Sequence, residues 1–517
     1  MNLRNVKTGF QKYLKENEIT TKEIDFEPTI RIEIDAWNKS ILEHHPIIGE
    51  NKLDFYKNRP VSTKGKICGI ANYLELNNLG QAIFYCASPS YSLKYAQEII
   101  NELPINNKVV ERHSSFIEHL RKRYGIKHQF EGRNINTSDY WSFINILSAG
   151  YGVHHGKFPK YIQKEILKMF NNGDINFLFC TSTIIEGVNT NAKNVIIINN
   201  SVGGNPMTLF ALKNIKGRAG RYYHHFIGRV FYLDKKQRQI EEQEDMMLNF
   251  PIYDNVSILK VDIDNAALED LSTLNKAKKV ERESNFNKEI LPDDVFLKNR
   301  LFARDEQQKY LQLLLEEQYF LKFKNLIGNT SNINNFLNMR MMNVILDSLA
   351  DAGILDNKVK VLYHAVVSKY SIDRFKGLME YQLNNSLSVP EKEIDSIYLK
   401  VFDQIKKIIE YEVPKFLCLF EALYQRAGIL KGYDMHDFNL SIIIRFFELG
   451  VTSALGIYLV EYGYPIDAIR LIEKNLSAIN TMELEESKNY ISKNYNTVKK
   501  FLDTYEIELL RDAIGVD

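Results

Sequence analysis

Four short, predominantly apolar runs constrain what this chain can fold into. They are Gln81–Ala87, Phe177–Cys180, Asn194–Ile198 and Val230–Leu233. Each is too short for a helix and lacks polar alternation, the pattern of a strand covered on both faces. Between them lie stretches with helical spacing. Ser90–Leu103 puts Leu93, Ala96, Ile99 and Ile100 on one face, and Phe116–Tyr124 has the same character. Phe158–Asn171 aligns Ile162, Ile166, Leu167 and Phe170 and ends at Asn172-Gly173. Leu209–Lys216 opens as a further helix. Strands alternating with helices predict an α/β fold with a parallel sheet. In such sheets ligands are expected beyond the carboxyl ends of the strands.

Around this region the 517 residues divide into four. Residues 1–55 are a polar lead-in with short apolar pieces (Ile30–Ile34, Ile47-Ile48), and 56–262 hold the strand–helix alternation. Residues 263–305 are charged and weakly periodic, with six charges between Lys276 and Glu283, and are expected to be a linker or surface arm. Residues 306–517 turn helical and predict an all-helical domain. Pro292-Asp293-Asp294 within the charged span is expected to be loop. A net charge of +1 argues against a protein that coats nucleic acid in bulk, but leaves room for a local basic groove. Cys68, Cys86, Cys180 and Cys418 are far apart, three of them in apolar runs, and predict buried reduced thiols. Met1–Glu16 lacks the apolar core of a signal peptide. No apolar run approaches the roughly 18 residues that span a bilayer, so a cytoplasmic protein without membrane contact is expected.

Two blocks carry the chemistry. The first is Cys180-Thr181-Ser182-Thr183-Ile184-Ile185-Glu186-Gly187-Val188-Asn189, and the second is Asn214-Ile215-Lys216-Gly217-Arg218-Ala219-Gly220-Arg221. The first ends a buried strand with small hydroxyl residues, which suit contacts to a phosphate backbone. The second places two arginines at i and i+3, so that two fork-shaped donors face one direction. Lys213, Lys216, Arg229, Lys235, Lys236 and Arg238 surround it, against the single acid Asp234. Tyr222, Tyr223, Phe226 and Tyr232 interleave with these cations, a composition that suits single-stranded nucleic acid. A strand-end threonine that caps a helix, or a solvated basic helix end, would explain either feature alone, but not both blocks together.

At this distance the two blocks resemble motifs V and VI of superfamily-two helicases, most closely the DExH kind. The resemblance implies a second RecA-like lobe: a parallel sheet flanked by helices, followed by a helical accessory domain. It implies ATP as ligand, with Mg held by a first lobe, and DNA or RNA, single-stranded, as partner. Arg218 and Arg221 would be the arginine fingers. Gly187, Asn189, Asn214 and Gly217 would lie on the ATP side, with Asn214 where relatives carry Gln. Thr181 and Ser182 would touch the strand. Ile83–Ser88 resembles motif IV, which carries Ser88 to a strand contact, with Pro89 where relatives place Arg. Gly152-Val153-His154-His155-Gly156 resembles the segment of DExH helicases that precedes a helix, which carries His155 to the same surface.

Neither a G-x-x-x-x-G-K-[ST] phosphate loop nor a D-E-x-[DH] box occurs in the sequence. The expectation is therefore a motor lobe completed by a polypeptide with the first RecA-like lobe, with negligible ATPase of its own. The alternative is a non-catalytic scaffold, derived from a helicase, that binds nucleic acid or protein. Adjacent histidine pairs (His44-His45, His154-His155, His224-His225) point to opposite faces of a strand and chelate poorly, so no metal is expected.

Overall fold

The structure is a computed structural model that describes residues 30–36, 40–41, 62–130, 133–184, 190–220, 225, 227–241, 258–326, 340–367, 373–386 and 390–515. The chain forms two compact units. One comprises Met1–Met247, Gln382–Phe402 and Asp503–Leu510, and the other Leu248–Tyr381, Asp403–Leu502 and Arg511–Asp517.

The first unit is built on strands β1 (Ile30–Asp35), β2 (Ser40–Ile41), β3 (Ala82–Tyr85), β4 (Lys127–Phe130), β5 (Arg133–Asn136), β6 (Gly152–His154), β7 (Phe177–Cys180), β8 (Asn194–Ile197), β9 (Ser201–Val202), β10 (Asn205–Pro206) and β11 (Ile227–Tyr232). Seven of them form one sheet in the order β2-β1-β11-β8-β3-β7-β6. All neighbours are parallel except β2, which runs antiparallel to β1. β4–β5 and β9–β10 are small antiparallel hairpins. Every residue of β3, β7 and β8 is buried, as unbroken apolar runs require. The exception in kind is Asn194, fully buried at the start of β8, whose side-chain amide donates to the carbonyls of Leu79, Gly80 and Gln81 at 3.1, 3.2 and 3.1 Å. A buried amide bonded this fully ties the amino ends of β3 and β8 together.

The α/β expectation holds, with a RecA-like parallel sheet, flanking helices and a helical region after it. The Lys160–Asn171 helix covers the sheet with Ile162, Ile166 and Phe170, all at 0% exposure. It starts at Lys160 rather than Phe158 because Pro159 takes the N-cap. Two pieces of the sheet unit come from outside the alternating region. Ile30–Asp35, in the span read as a lead-in, is β1 and pairs with β11 over its whole length. Residues 382–402 and 503–510, in the span read as one helical domain, also belong here. Tyr398 stacks on Trp141 (4.3 Å between centroids, 11°) and donates from its hydroxyl to the Tyr124 carbonyl at 2.7 Å. Phe402 sits edge-on to Phe158. Arg123 grips both oxygens of buried Glu506 at 2.6 and 2.7 Å. These segments are invisible to a linear partition because their apolar and charged partners lie hundreds of residues away.

The second unit is helical. The charged span read as a linker instead holds the Thr273–Ser284 helix, clamped where Arg282 donates to Asp264 at 2.8 and 2.7 Å and to Asp305 at 2.9 Å. Pro292-Asp293-Asp294 is not loop: Pro292 N-caps the Asp293–Lys298 helix, and Asp293 pairs with Arg304 at 2.6 Å. Ser441–Tyr462 is apolar enough in an 18-residue window to cross a membrane by length and composition, with mean hydropathy 1.6. Gly450, at φ +83°, breaks it into the Ser441–Leu449 and Ala454–Tyr462 helices, as the left-handed conformation of a C-cap glycine does.

Candidate nucleotide and nucleic-acid interface

The first block leaves the sheet at the carboxyl end of β7. Thr181 is 6% exposed; its N–H donates to the His154 carbonyl at 3.2 Å, and its hydroxyl shares a hydrogen bond with that of Thr183 at 3.2 Å. Ser182–Ile184 is a single tight turn, and Ser182 is half-buried. Gly156, just beyond β6, packs against this turn: a Cβ there would stand 2.7 Å from the Thr183 methyl. His155 is at 0% exposure and stacks on Phe158 with centroids 3.8 Å apart. This burial corrects its assignment to the strand-facing surface. Phe158 packs in turn against Trp141 and Phe402, so His155 belongs to the core under that edge.

β3 ends beside the same turn, where the Cys86 N–H donates to the Cys180 carbonyl at 2.8 Å. Ser88 then N-caps the Pro89–Ile100 helix, its hydroxyl oxygen accepting from the Tyr91 N–H at 3.3 Å. A capping hydroxyl keeps its own proton to donate, so the cap and a phosphate contact are compatible. Tyr91, 43% exposed and stacked on Tyr95 at 5.6 Å, stands next to it. The β9–β10 hairpin borders the same edge, with the Gly203 N–H donating to Ala87 O at 3.2 Å.

The second block is at the other end of the sheet, which corrects the expectation that the whole site gathers beyond the carboxyl ends. The Leu209–Lys216 helix, capped by Thr208, runs into Gly217. Arg218 and Ala219 close a turn onto Ile215 and Lys216 at 3.1 and 3.0 Å, and the Gly220 N–H donates to Ala192 O at 3.0 Å. Ala192 precedes β8, and Gly228 is the second residue of β11. A Cβ on Gly228 would lie 2.7 Å from the Ala219 carbonyl carbon and oxygen, so the arginine turn lies directly on the amino end of β11. Gly220 holds φ +62°, the left-handed region where glycine carries no Cβ cost.

Arg218 is half-buried. Burial pushes the Cys180 thiol pKa well up, and the charge of Arg218 partly offsets that rise. The guanidinium thus lies within electrostatic reach of the strand that leads into the first block. Burial, then the charge of Arg229, depresses the pKa of Lys193; burial depresses that of Arg229. Cations made costly in this way favour an anion beside them. Asn214, half-buried, is one helical turn before Arg218, and Gly217 is exposed at the helix end. Gly187, Asn189 and Arg221 lie outside the described residues.

Among the described residues, His119, Asp503 and Glu506 bring donor atoms within 4.8 Å of one another, as a metal site would. Arg123 occupies both Glu506 oxygens, and Asp503 and Glu506 cap each other's backbone N–H at 3.0 and 2.9 Å. These carboxylates are already satisfied, and the cluster works as an ion-pair latch for residues 503–510.

The family of helicase conserved C-terminal domains matches residues 117–231, from the helix before β4 to β11. This chain carries a helicase C-terminal domain. Anti-bacteriophage protein B of Escherichia coli (strain K12) is 23% identical over 448 residues, which cover 84% of this chain and 57% of that protein. Hachiman protein HamB of Bacillus cereus is 25% identical over 169 residues, 29% of this chain and 15% of that protein. Helicase POLQ-like of Drosophila melanogaster is 29% identical over 195 residues, 32% of this chain and 18% of that protein. The chain thus spans little more than half of one relative and a small part of the others. The likeness to the C-terminal half of superfamily-two helicases, first carried by two blocks, extends through the helicase C-terminal domain and beyond it at low identity.

Proposed function

We propose that the sheet unit is the second motor lobe of an ATP-dependent nucleic-acid helicase or translocase. In this reading Arg218 and Arg221 stabilise the charge that builds on the γ-phosphoryl group during hydrolysis. Forked donors aimed at a dispersing oxyanion charge lower a barrier more than any ground-state contact does. ATP and Mg would be held chiefly by a first RecA-like lobe, whose phosphate loop lies outside these 517 residues. Ser88, Ser182 and the Thr181 turn would hold a single strand at the opposite end of the sheet.

The observation that carries this reading is the arginine turn itself. It is laid on β11 by the absence of a Cβ at Gly228, tied to Ala192, and within charge reach of the strand that delivers the Thr181 turn. Such an arrangement can couple nucleotide state to strand grip across one short sheet. The names of two relatives, an anti-bacteriophage protein and a Hachiman protein, make defence against phage the setting we propose.

The test is nucleic-acid-stimulated ATP hydrolysis by this chain together with a polypeptide that supplies the phosphate loop. Arg218→Ala should lower kcat about a thousandfold, the scale of an arginine finger, and abolish plaque protection. Undiminished turnover in that variant, or robust turnover by the chain alone, would sink the proposal. Protection that survives the loss of turnover would favour the scaffold.

A further inference from the structure

Glu33 is an acid in the middle of a sheet. It lies on β1, is 3% exposed, and pairs in register with Val230 of β11. A carboxylate in such a place needs partners, and among the described residues two meet it. The Tyr232 hydroxyl donates to it at 3.0 Å, and the Lys216 ammonium forms an ion pair with it. The Lys216 side chain is 13% exposed, and its ammonium also lies 5.8 Å over the Tyr232 ring. Lys216 is the last residue of the helix that delivers the arginine turn, and its carbonyl accepts from the Ala219 N–H at 3.0 Å. The turn containing Arg218 is therefore hung from Lys216, and Lys216 is pinned by Glu33.

From this geometry we infer that Glu33 is a positioning residue for the arginine turn, acting through Lys216. The role rests on reading Arg218 as the group that meets the nucleotide. A sheet unit without β1 would still have β11, the glycines that admit the turn and the buried Leu212 and Ile215, but not the charge that holds the Lys216 ammonium. With a neutral isostere at Glu33, the Lys216 ammonium loses the carboxylate that pairs with it. It relaxes towards water and carries the helix end with it. Because β1 and β11 keep their backbone ladder, the change is local to 215–220. The lead-in span, which carries no helicase motif, thereby becomes part of the motor's nucleotide-facing machinery.

Hydrogen exchange on the full chain tests the pinning directly. In Glu33→Gln, amides in a peptide covering 215–220 should exchange about tenfold faster or more, while peptides from β3, β7 and β8 keep their protection. Lys216→Met should reproduce the effect, and it stands in if Glu33→Gln does not fold. Lys216→Arg, which keeps the charge, should restore slow exchange. Unchanged exchange in both neutral variants overturns the inference. In the completed motor, both neutral variants should lower kcat and leave KM for ATP unchanged. If Arg218→Ala keeps full turnover, the reading of the arginine is wrong, whatever Glu33 does. If Arg218→Ala is inactive but the neutral variants loosen the turn at no cost to kcat, the catalytic part of the inference fails and the reading survives.

Discussion

The two ends of the sheet are built from different materials. At the carboxyl ends of β3, β6 and β7, order comes from backbone groups that satisfy one another and from hydroxyls that cap turns, over a floor of aromatic rings. At the amino ends of β8 and β11, order comes from missing side chains and matched charges: Gly220 and Gly228 admit the turn, and Glu33 with Tyr232 anchors Lys216. The first construction tolerates change in the residue that faces solvent, because the backbone does the holding. The second does not, since one added Cβ meets backbone that cannot yield. The end that would grip a strand can therefore adapt to varied sequence, whereas the end that would meet a nucleotide is fixed in geometry.

Two glycine substitutions set these constructions against each other. Gly228→Val puts a Cβ and two methyls where only 2.7 Å separates the position from the Ala219 carbonyl. Overpacking of this kind costs about 2–3 kcal/mol. Displacing the arginine turn by about 1 Å should cost about a hundredfold in turnover while strand affinity holds, measured by ATPase and by fluorescence anisotropy with a labelled oligonucleotide. A proportionate loss of both would show that the ends are not separable. In Gly156→Val the added Cβ meets, among the described residues, the Thr183 side chain, its methyl at 2.7 Å, and a side chain can shift where backbone cannot. About 1 kcal/mol and a severalfold loss of strand affinity are expected, with turnover at saturating strand nearly intact. A larger effect on turnover than in Gly228→Val would invert the comparison.

Much of this was legible in the chain, for identifiable reasons. The buried strands β3, β7, β8 and β11 declare themselves because both faces need apolar residues. The helix of Phe170 declares itself because its stripe and its glycine stop are local signals. The motif blocks are local as well. What escaped depends on distance. Ile30–Asp35 could not be recognised as a sheet strand because its partner begins at Ile227. Tyr398 and Glu506 lie in the span expected to be a separate helical domain, yet they meet Tyr124, Trp141 and Arg123. His155 looked like a surface ligand because a histidine pair in a motif invites that reading; Phe158, three residues on, was the overlooked sign that it stacks inward. The amino-end placement of Arg218 follows from chain direction alone, since a helix that leaves the carboxyl end of β8 must return to the amino end of β11.

The smallest expected effect concerns the two late segments that complete the sheet unit, and it separates them by pH. Asp395 is half-buried; desolvation raises its carboxyl pKa, only partly opposed by hydrogen bonds from the Ser142 hydroxyl and N–H. A carboxyl whose folded pKa is raised favours the folded state more as it protonates. Docking of 382–402 should therefore strengthen as pH falls from neutrality through the raised value, down towards the ordinary aspartate value of about 3.9. Asp503 is also penalised by burial, but the His119 ring and, at longer range, Arg123 outweigh the penalty and lower its pKa. A lowered folded pKa gives the opposite dependence: its contribution is fully present above the ordinary value and is lost only as pH falls below it. Exchange rates corrected for intrinsic pH dependence should show 390–402 better protected at pH 5 than at pH 7, and 503–510 unchanged between them. Asp395→Asn should remove the first difference, because an amide has no proton to gain. Equal pH responses in both segments would mean that the carboxylates of the two braces share one environment, which their partners, a serine in one case and a histidine in the other, argue against.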